Sequence, residues 1–206
     1  MELKQALEEL RKEENKRKFT QSVDLIINLK GIDVKRDNIN AVITIPHKIK
    51  EKRVCGFLTQ RSDLLKTVTK PEFDRYKDKK ALKELVNEFD FFIAHASLMP
   101  SVATTFGKVL GPVGKMPSPQ LGILMQENPE AIKSLLLRIE KSIKVRAKEA
   151  SIKVQVGKEN MKDEEVIANA KAVYEGVVNA LPTKRENVKN VKLKLTMSKP
   201  IGVEIR

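Results

Sequence analysis

The pattern of apolar residues changes twice along the chain, and this change limits the folds open to it. Near the C-terminus, "NVKLKLTM" alternates strictly between polar and apolar residues, and its apolar side chains are Val191, Leu193, Leu195 and Met197. In the middle third, "RVCGFLT" and "DFFIAHA" are nearly continuous apolar runs. Strict alternation predicts antiparallel strands with one covered face, whereas continuous apolar runs are typical of parallel strands buried on both faces. The sequence therefore predicts two kinds of sheet.

Helices are predicted between these strands from apolar spacing and from cap, proline and glycine positions. The predicted helices cover residues 2–17, 19–33, 72–88, 100–110, 128–143 and 163–181, and the predicted strands cover residues 41–46, 53–59, 90–96, 151–157, 190–197 and 201–206. The second helix is expected to begin with a cap at Thr20 or Ser22 and to end at Gly31. The helix at 128 is expected to begin with Asn128 and Pro129.

Strand and helix alternate in the middle third, as in a small doubly wound α/β unit. The first and last thirds share the one-sided alternation of an α+β domain. The simplest arrangement is an α+β terminal domain with an antiparallel sheet and helices on one face, built from residues 1–49 and 146–206. An inserted α/β domain of residues 50–145 would interrupt it, with a two-stranded hinge near residues 48–52 and 143–147.

The charge balance indicates a polyanionic partner. The 206 residues carry a formal net charge of +13, spread along the chain rather than confined to one tail. A folded basic protein of this kind most often binds nucleic acid, although a lysine- and glutamate-rich thermophile surface is the alternative. No apolar run approaches the roughly 20 residues of a membrane span, and the charged N-terminus has no apolar signal-peptide core. We therefore expect a cytoplasmic protein without a membrane partner.

The glycine- and proline-rich stretch "GKVLGPVGKMPSP" (107–119) resembles a phosphate-binding loop only superficially. A P-loop needs a glycine five residues before Gly114 and a Ser or Thr after Lys115, but the chain has Val109 and Met116 there. The following prolines also prevent the helix that would present its N-terminus to phosphate. The loop is expected either to hold the insertion together or to bring Lys108 and Lys115 to a phosphate backbone.

Residues for metal binding or catalysis are scarce. Cys55 is the one cysteine of the sequence and is expected to pack as a small buried hydrophobe, while His47 and His95 have no obvious partner. We predict no metal site, no cofactor and no enzymatic activity. A nucleotide-binding enzyme that uses the α/β insertion remains the alternative, and a protein-binding adaptor is a third possibility.

The polar face of "NVKLKLTM" is the stronger candidate site. Asn190, Lys192, Lys194 and Thr196 would lie on one side of a strand, about 7 Å apart in steps of two. The lysines can contact phosphates, and Asn and Thr can form directional hydrogen bonds. The alternative is an ordinary solvent-facing strand. Because aromatic residues are only 4% of the chain, we expect recognition of RNA shape, sugar hydroxyls and backbone rather than base stacking.

Four stretches together carry a family resemblance: "KFTQSVDLIINLKGID", "DFFIAHASLMP", "GKVLGPVGKMPSP" and "KLTMSKP". In this order and spacing the chain resembles, over essentially its whole length, the archaeal type of the ribosomal protein L-one family of the large-subunit lateral stalk. The resemblance implies that the inserted domain is Rossmann-like and that the terminal domain carries the main RNA site. It also implies a monomer that binds the stalk segment of large-subunit rRNA, assists release of deacylated tRNA from the exit site, and represses translation of its own mRNA.

The resemblance further implies which residues contact RNA. Its two motifs carry over onto Lys18, Phe19, Thr20 and Ser22, and onto Asn190, Thr196, Met197 and Ser198. Lys153 is a nearby basic candidate, and Lys192 and Lys194 join from the strand pattern. Many family members have glycine where this chain has Ser198. That serine either reduces RNA affinity or supplies its own hydrogen bond.

Overall fold

The fold was analysed in a computed structural model that describes residues 1–33, 39–147 and 149–205. It combines helices with one antiparallel four-stranded sheet, one antiparallel two-stranded sheet and one parallel four-stranded sheet. Contacts between residues divide the chain into two compact units. The first unit holds Met1–Ile49 and Lys141–Arg206, and the second holds Lys50–Glu140.

The described residues contain ten strands and five α-helices. The strands are β1 (Ser22–Leu29), β2 (Asn40–Thr44), β3 (Val54–Phe57), β4 (Lys66–Val68), β5 (Phe91–His95), β6 (Ile123–Leu124), β7 (Ser142–Arg146), β8 (Ser151–Lys158), β9 (Val188–Leu195) and β10 (Ile201–Val203). The helices are α1 (Leu3–Leu10), α2 (Lys79–Glu88), α3 (Met99–Val113), α4 (Pro129–Glu140) and α5 (Asp163–Ala180). Short 3₁₀ helices cover Glu13–Asn15, Lys70–Lys77, Ala96–Leu98 and Lys184–Asn187.

The first unit is built on an antiparallel sheet with strand order β10-β9-β1-β8. Helix α1 contacts β9, β10 and α5, while α5 contacts β1, β2 and β8. The alternating apolar residues of the strands pack into one core with the apolar faces of these helices. Strands β2 and β7 form the separate two-stranded sheet. The predicted alternation of β8 and β9 and the predicted helix at 163–181 are confirmed.

The predicted helix over residues 19–33 is wrong, because residues 22–29 form strand β1. Val23, Leu25, Ile27 and Leu29 are buried in strict alternation, which is the period of a strand and not of a helix. The strand lies between β8 and β9 and pairs with both. This tertiary pairing outweighs the local helix caps on which the prediction depended.

Three further boundaries differ from the predictions. Helix α1 ends at Leu10 rather than at residue 17. The predicted helix at 72–88 is a 3₁₀ segment followed by α2. Met197, predicted on the buried face, is 61% exposed because β9 ends at Leu195 and the chain turns there.

The second unit is built on a parallel sheet with strand order β4-β3-β5-β6. All four residues of β3 are buried, as the continuous apolar run predicts. The core contains an aromatic cluster in which the Phe57 ring is 4.7 Å from that of Phe106 and 5.7 Å from that of Phe92, centroid to centroid. These contacts come from two strands and from α3, so the sheet and its covering helix share one core.

The first half of the stretch 107–119 is helical and not a loop as predicted. Helix α3 continues to Val113, with Pro112 one residue before its end, and Gly114 follows with φ 78°. A left-handed residue of this kind is the usual helix terminator, and glycine adopts it without a steric penalty. The residues after Lys115 form turns and not a helix, as the two prolines require.

The chain returns to the first unit earlier than the predicted boundary at residue 145. Helix α4 begins at Pro129 as predicted but ends at Glu140. Residues 142–146 form β7, which pairs with β2 of the first unit in the register Ile143 to Ile43. Among the helices of the described ranges, none has the length and apolar character needed to cross a bilayer.

Candidate nucleic-acid interface

Two segments that are far apart in sequence meet at one end of the antiparallel four-stranded sheet of the first unit. Strands β1 and β9 are antiparallel neighbours, with Val23 opposite Leu195, so the start of β1 lies beside the end of β9. The Ser22 amide donates to Thr196 Oγ1 at 3.0 Å, and the Met197 amide donates to Gln21 Oε1 at 3.1 Å. The segment Phe19–Ser22 and the segment Thr196–Ser198 therefore form one continuous edge, which we call the motif edge.

Two large apolar side chains of the motif edge face solvent. Phe19 is 52% exposed and Met197 is 61% exposed. Lys18, Thr20 and Thr196 are also exposed. Apolar side chains of this size are normally buried, so a pair of them beside a lysine and two threonines has the composition of a binding surface.

The turn after β9 shows what the Ser198 side chain does. Its hydroxyl accepts a hydrogen bond from the Leu195 amide at 2.8 Å, and its own amide donates to the Leu195 carbonyl at 3.2 Å. Both bonds lie within the turn. The Ser198 side chain therefore closes the turn that presents Thr196 and Met197.

The polar face of the sheet continues from the motif edge as three cross-strand rows. From the pairing register, each row holds one residue of β9, one of β1 and one of β8: Lys194, Asp24 and Gln155; Lys192, Ile26 and Lys153; Asn190, Asn28 and Ser151. The predicted candidates Asn190, Lys192, Lys194 and Lys153 thus share one face with the motif edge. Asp24, Ile26 and Asn28 were missed, because a helix was predicted for their segment.

Hydrogen bonds between side chains hold the amide and hydroxyl groups of this face in place. Asn28 Nδ2 donates to Asn190 Oδ1 at 2.6 Å, and Ser151 Oγ donates to Asn28 Oδ1 at 2.8 Å. At the other end, Gln155 Nε2 donates to Ser22 Oγ at 3.0 Å. These groups are ordered before any ligand binds, which reduces the entropy lost on binding.

Asp24 adds a carboxylate to a face that otherwise carries lysines. Partial burial raises the pKa of Asp24, and the neighbouring Lys194 acts in the opposite direction. A carboxylate here repels phosphate and can accept hydrogen bonds from sugar hydroxyls or base amino groups. The face therefore combines cations with hydrogen-bonding groups and is not uniformly basic.

The two lysines of the 107–119 stretch have different environments. Lys115 Nζ donates to the carbonyls of Val86 and Phe89 at 2.6 and 2.7 Å, at the end of α2. Burial lowers the pKa of this amine. Of the two alternatives for the loop, this geometry favours the packing role for Lys115. Lys108 is exposed on α3 and stays a candidate phosphate contact.

The ends of the parallel strands are where a nucleotide would bind in an α/β unit. There the Glu127 carboxylate accepts hydrogen bonds from the Thr59 amide at 2.7 Å, the Thr59 hydroxyl at 2.5 Å and the Gln60 amide at 3.3 Å. His95, for which no partner was foreseen, contacts Ser97 Oγ at 2.7 Å through Nδ1. The donors of Thr59 and Gln60 at this position are thus already bound to a carboxylate of the same chain and are not open to a phosphate.

Cys55 is buried, as predicted. Burial raises the pKa of its thiol to about 12. Since the thiolate is the reactive form, this cysteine is a packing residue and not a nucleophile.

Comparison with known proteins identifies relatives across nearly the whole chain. The model of the ribosomal protein L1p/L10e family matches residues 10–199. A protein of Methanococcus voltae named "Large ribosomal subunit protein uL1" is 38% identical over 97% of this chain and 96% of its own length. Proteins of the same name from Archaeoglobus fulgidus and Pyrobaculum calidifontis are 33% and 32% identical, over 98% and 96% of this chain and 96% and 91% of their own lengths.

Proposed function

The chain belongs to the ribosomal protein L1p/L10e family, and from this premise we propose that it is a constituent of the large ribosomal subunit that binds ribosomal RNA. Its RNA target would be the folded stalk segment of large-subunit rRNA. The protein would act as a monomer when free and would be ribosome-bound in the cytoplasm. Binding, and not chemistry, would be its role.

The observation that carries this proposal is the convergence of the two family motifs on the motif edge. The segments are joined by the Ser22 to Thr196 and Gln21 to Met197 hydrogen bonds, although about 175 residues of sequence separate them. Exposed Phe19 and Met197 provide apolar contact area, and Thr196 provides a hydroxyl. This arrangement suits the sugars and splayed bases of a structured RNA loop.

The rows of the sheet face would extend the contact along the RNA. Lys192, Lys194 and Lys153 are placed to neutralise phosphates, which gives affinity without sequence specificity. Asn190, oriented by Asn28, would supply a directional hydrogen bond. Affinity would therefore fall as salt concentration rises, while discrimination between RNAs would come from the motif edge.

The second unit is proposed to be a Rossmann-like domain inserted in the RNA-binding domain. Its parallel strand order is β4-β3-β5-β6, in which β3 and β5, the first and third strands of this unit along the chain, are central. This order supports the assignment. The two crossings of the chain, between Ile49 and Lys50 and between Glu140 and Lys141, would act as a hinge. Movement of this unit, with Lys108 as a secondary contact, would help release deacylated tRNA from the exit site.

The same motif edge would support translational repression. If the protein's own mRNA contains a fold similar to the rRNA stalk segment, the two RNAs would compete for one surface. Free protein would then bind its mRNA only when the rRNA sites are filled.

Two measurements test the proposal. Crosslinking of the protein to cellular RNA, followed by sequencing, should recover a stalk fragment of large-subunit rRNA. A shortened chain that joins residues 1–49 to 141–206, and so keeps strand β7 of the first unit, should bind that fragment with most of the affinity of the full chain. A folded shortened chain that does not bind would contradict the placement of the main site. Tight binding of ATP, GTP or NAD without RNA binding would favour the nucleotide-enzyme alternative instead.

A further inference from the structure

Gln21 lies between the two halves of the motif edge and is fully buried, with no exposed surface. The side chain uses both ends of its amide. Oε1 accepts from the Met197 amide at 3.1 Å, and Nε2 donates to the Asn15 carbonyl at 2.7 Å. A buried glutamine with both ends paired holds its neighbours at fixed separations.

The main chain of Gln21 makes a second set of contacts. Its amide donates to Glu159 Oε2 at 3.1 Å, and its carbonyl accepts from the Glu159 amide at 2.8 Å. Gln21 therefore joins three segments: the end of the α1 region at Asn15, the residue after β8, and the turn after β9.

These contacts decide where the exposed residues of the motif edge lie. Phe19 and Thr20 directly precede Gln21, and Met197 is bound to its side chain. If the amide were lost, the turn at 196–198 would keep the Ser198 bond to Leu195 and the Ser22 bond to Thr196, but Met197 would lose its bond to Gln21. The two halves would each remain folded and joined at Thr196, while the position of Met197 relative to Phe19 would become less fixed.

We propose that Gln21 is a positioning residue for RNA binding, which sets the distance between the Phe19 and Met197 halves of the motif edge without contacting RNA. The inference rests on the proposed RNA-binding function. It adds to that function a residue, Gln21, that affects RNA binding through the positions of Phe19 and Met197. Because no phosphate contact is involved, its loss should change affinity without changing the number of counterions released.

The test uses the full chain, the stalk segment of large-subunit rRNA, and Gln21→Met, which keeps the length of the side chain but removes both amide bonds. We expect an affinity loss of about tenfold, the scale of one hydrogen bond left unmade. The slope of log affinity against log salt should match that of the unmodified protein. Amide hydrogen exchange at Met197 should become faster. Gln120→Ala, an exposed glutamine of the second unit, is the matched control and should change neither quantity.

Two additions separate the possible outcomes. Gln21→Asn keeps an amide that is one methylene too short to span both partners, so it tests the same inference if the methionine variant does not fold. The double variant with Thr196→Ala should lose less affinity than the two single losses combined, since both act on the same geometry.

The inference is overturned if either Gln21 variant folds and binds within about twofold of the unmodified protein, if the salt slope changes, or if both variants are unfolded by circular dichroism. Failure of the unmodified protein to bind the RNA, or an unchanged affinity for both Phe19→Ala and Thr196→Ala, would instead reject the proposed function.

Discussion

Replacement of Lys115 by methionine separates the two roles considered for the 107–119 stretch. The Lys115 ammonium donates to two carbonyls at the end of α2, Val86 at 2.6 Å and Phe89 at 2.7 Å. Methionine keeps most of the apolar stem but leaves both carbonyls without this donor. The packing role predicts a less stable second unit, and the phosphate-contact role predicts weaker RNA binding.

The magnitude follows from the two bonds. A hydrogen bond to a charged group contributes about 1.5–3 kcal/mol, and a cation at a helix C-terminus adds about 0.3–1 kcal/mol. Lys115 is only partly buried, so water can replace part of both contributions. We therefore expect the free energy of unfolding of the second unit to fall by about 2–4 kcal/mol.

The assay needs a signal from the second unit alone. The chain has two tyrosines and no tryptophan, with Tyr76 in the second unit and Tyr174 in the first. In a Tyr174→Phe background, tyrosine fluorescence during urea unfolding reports on the second unit. Lys108→Met, on the exposed surface of α3, is the control and should change the unfolding free energy by less than about 0.5 kcal/mol. A stability change below that limit for Lys115→Met, together with weaker RNA binding, would refute the packing role.

Two further predictions concern stability. Gly176→Ala should lower the free energy of unfolding of the first unit by about 1–3 kcal/mol, because the added Cβ would lie 2.7 Å from Ile43 side-chain atoms. The control is Gly107→Ala, also on a helix, where the added Cβ meets no atom within 4 Å. In urea unfolding this control should raise the free energy of unfolding slightly. Burial lowers the pKa of Lys52, which donates to the Ile139 carbonyl, to about 8. Between about pH 8 and its unfolded value of 10.5 the unfolded chain binds the additional proton, so the free energy of unfolding of the second unit should rise with pH in this window. Lys52→Met should remove most of that rise and leave the smaller part that comes from Lys115, whose pKa burial also lowers. An identical pH profile in the variant would contradict the assignment.

Much of the fold follows from local sequence pattern. The alternation in β8 and β9 indicates strands buried on one face, and the continuous apolar run of β3 indicates a strand buried on both faces. The proline at the start of α4 indicates where a helix begins. Each of these patterns depends on a few neighbouring residues, so it can be recognised in the sequence without knowledge of the tertiary structure.

Strand β1 could not be read in the same way, because the caps at Thr20 or Ser22 and the stop at Gly31 favour a helix, and Ile26 hides the period of a strand. This apolar residue lies on the polar face, in the row with Lys192 and Lys153. It breaks the alternation of polar and apolar residue types in the sequence, although burial in the folded strand alternates strictly. The resulting run "LII" is compatible with a buried helix stripe. Only pairing with two strands that lie more than 120 residues further along the chain fixes β1 as a strand.

Only part of the candidate site could be predicted, because the rest depends on how β1 pairs with distant strands. Phe19 and Thr196 were identified through motif resemblance, which requires no structure. Gln21, Asp24 and Asn28 were missed because their roles depend on the register of β1 with β8 and β9. Residues that act through a cross-strand neighbour leave no local pattern in the sequence.

The most direct test of the central claim is equilibrium binding of the stalk segment of large-subunit rRNA to Phe19→Ala and to Thr196→Ala, with Thr104→Ala on α3 as the control. If the motif edge is the RNA-binding surface, each variant should lose about 1–3 kcal/mol of binding free energy while the control binds as the unmodified protein does. Unchanged affinity of both variants for the RNA would contradict the account.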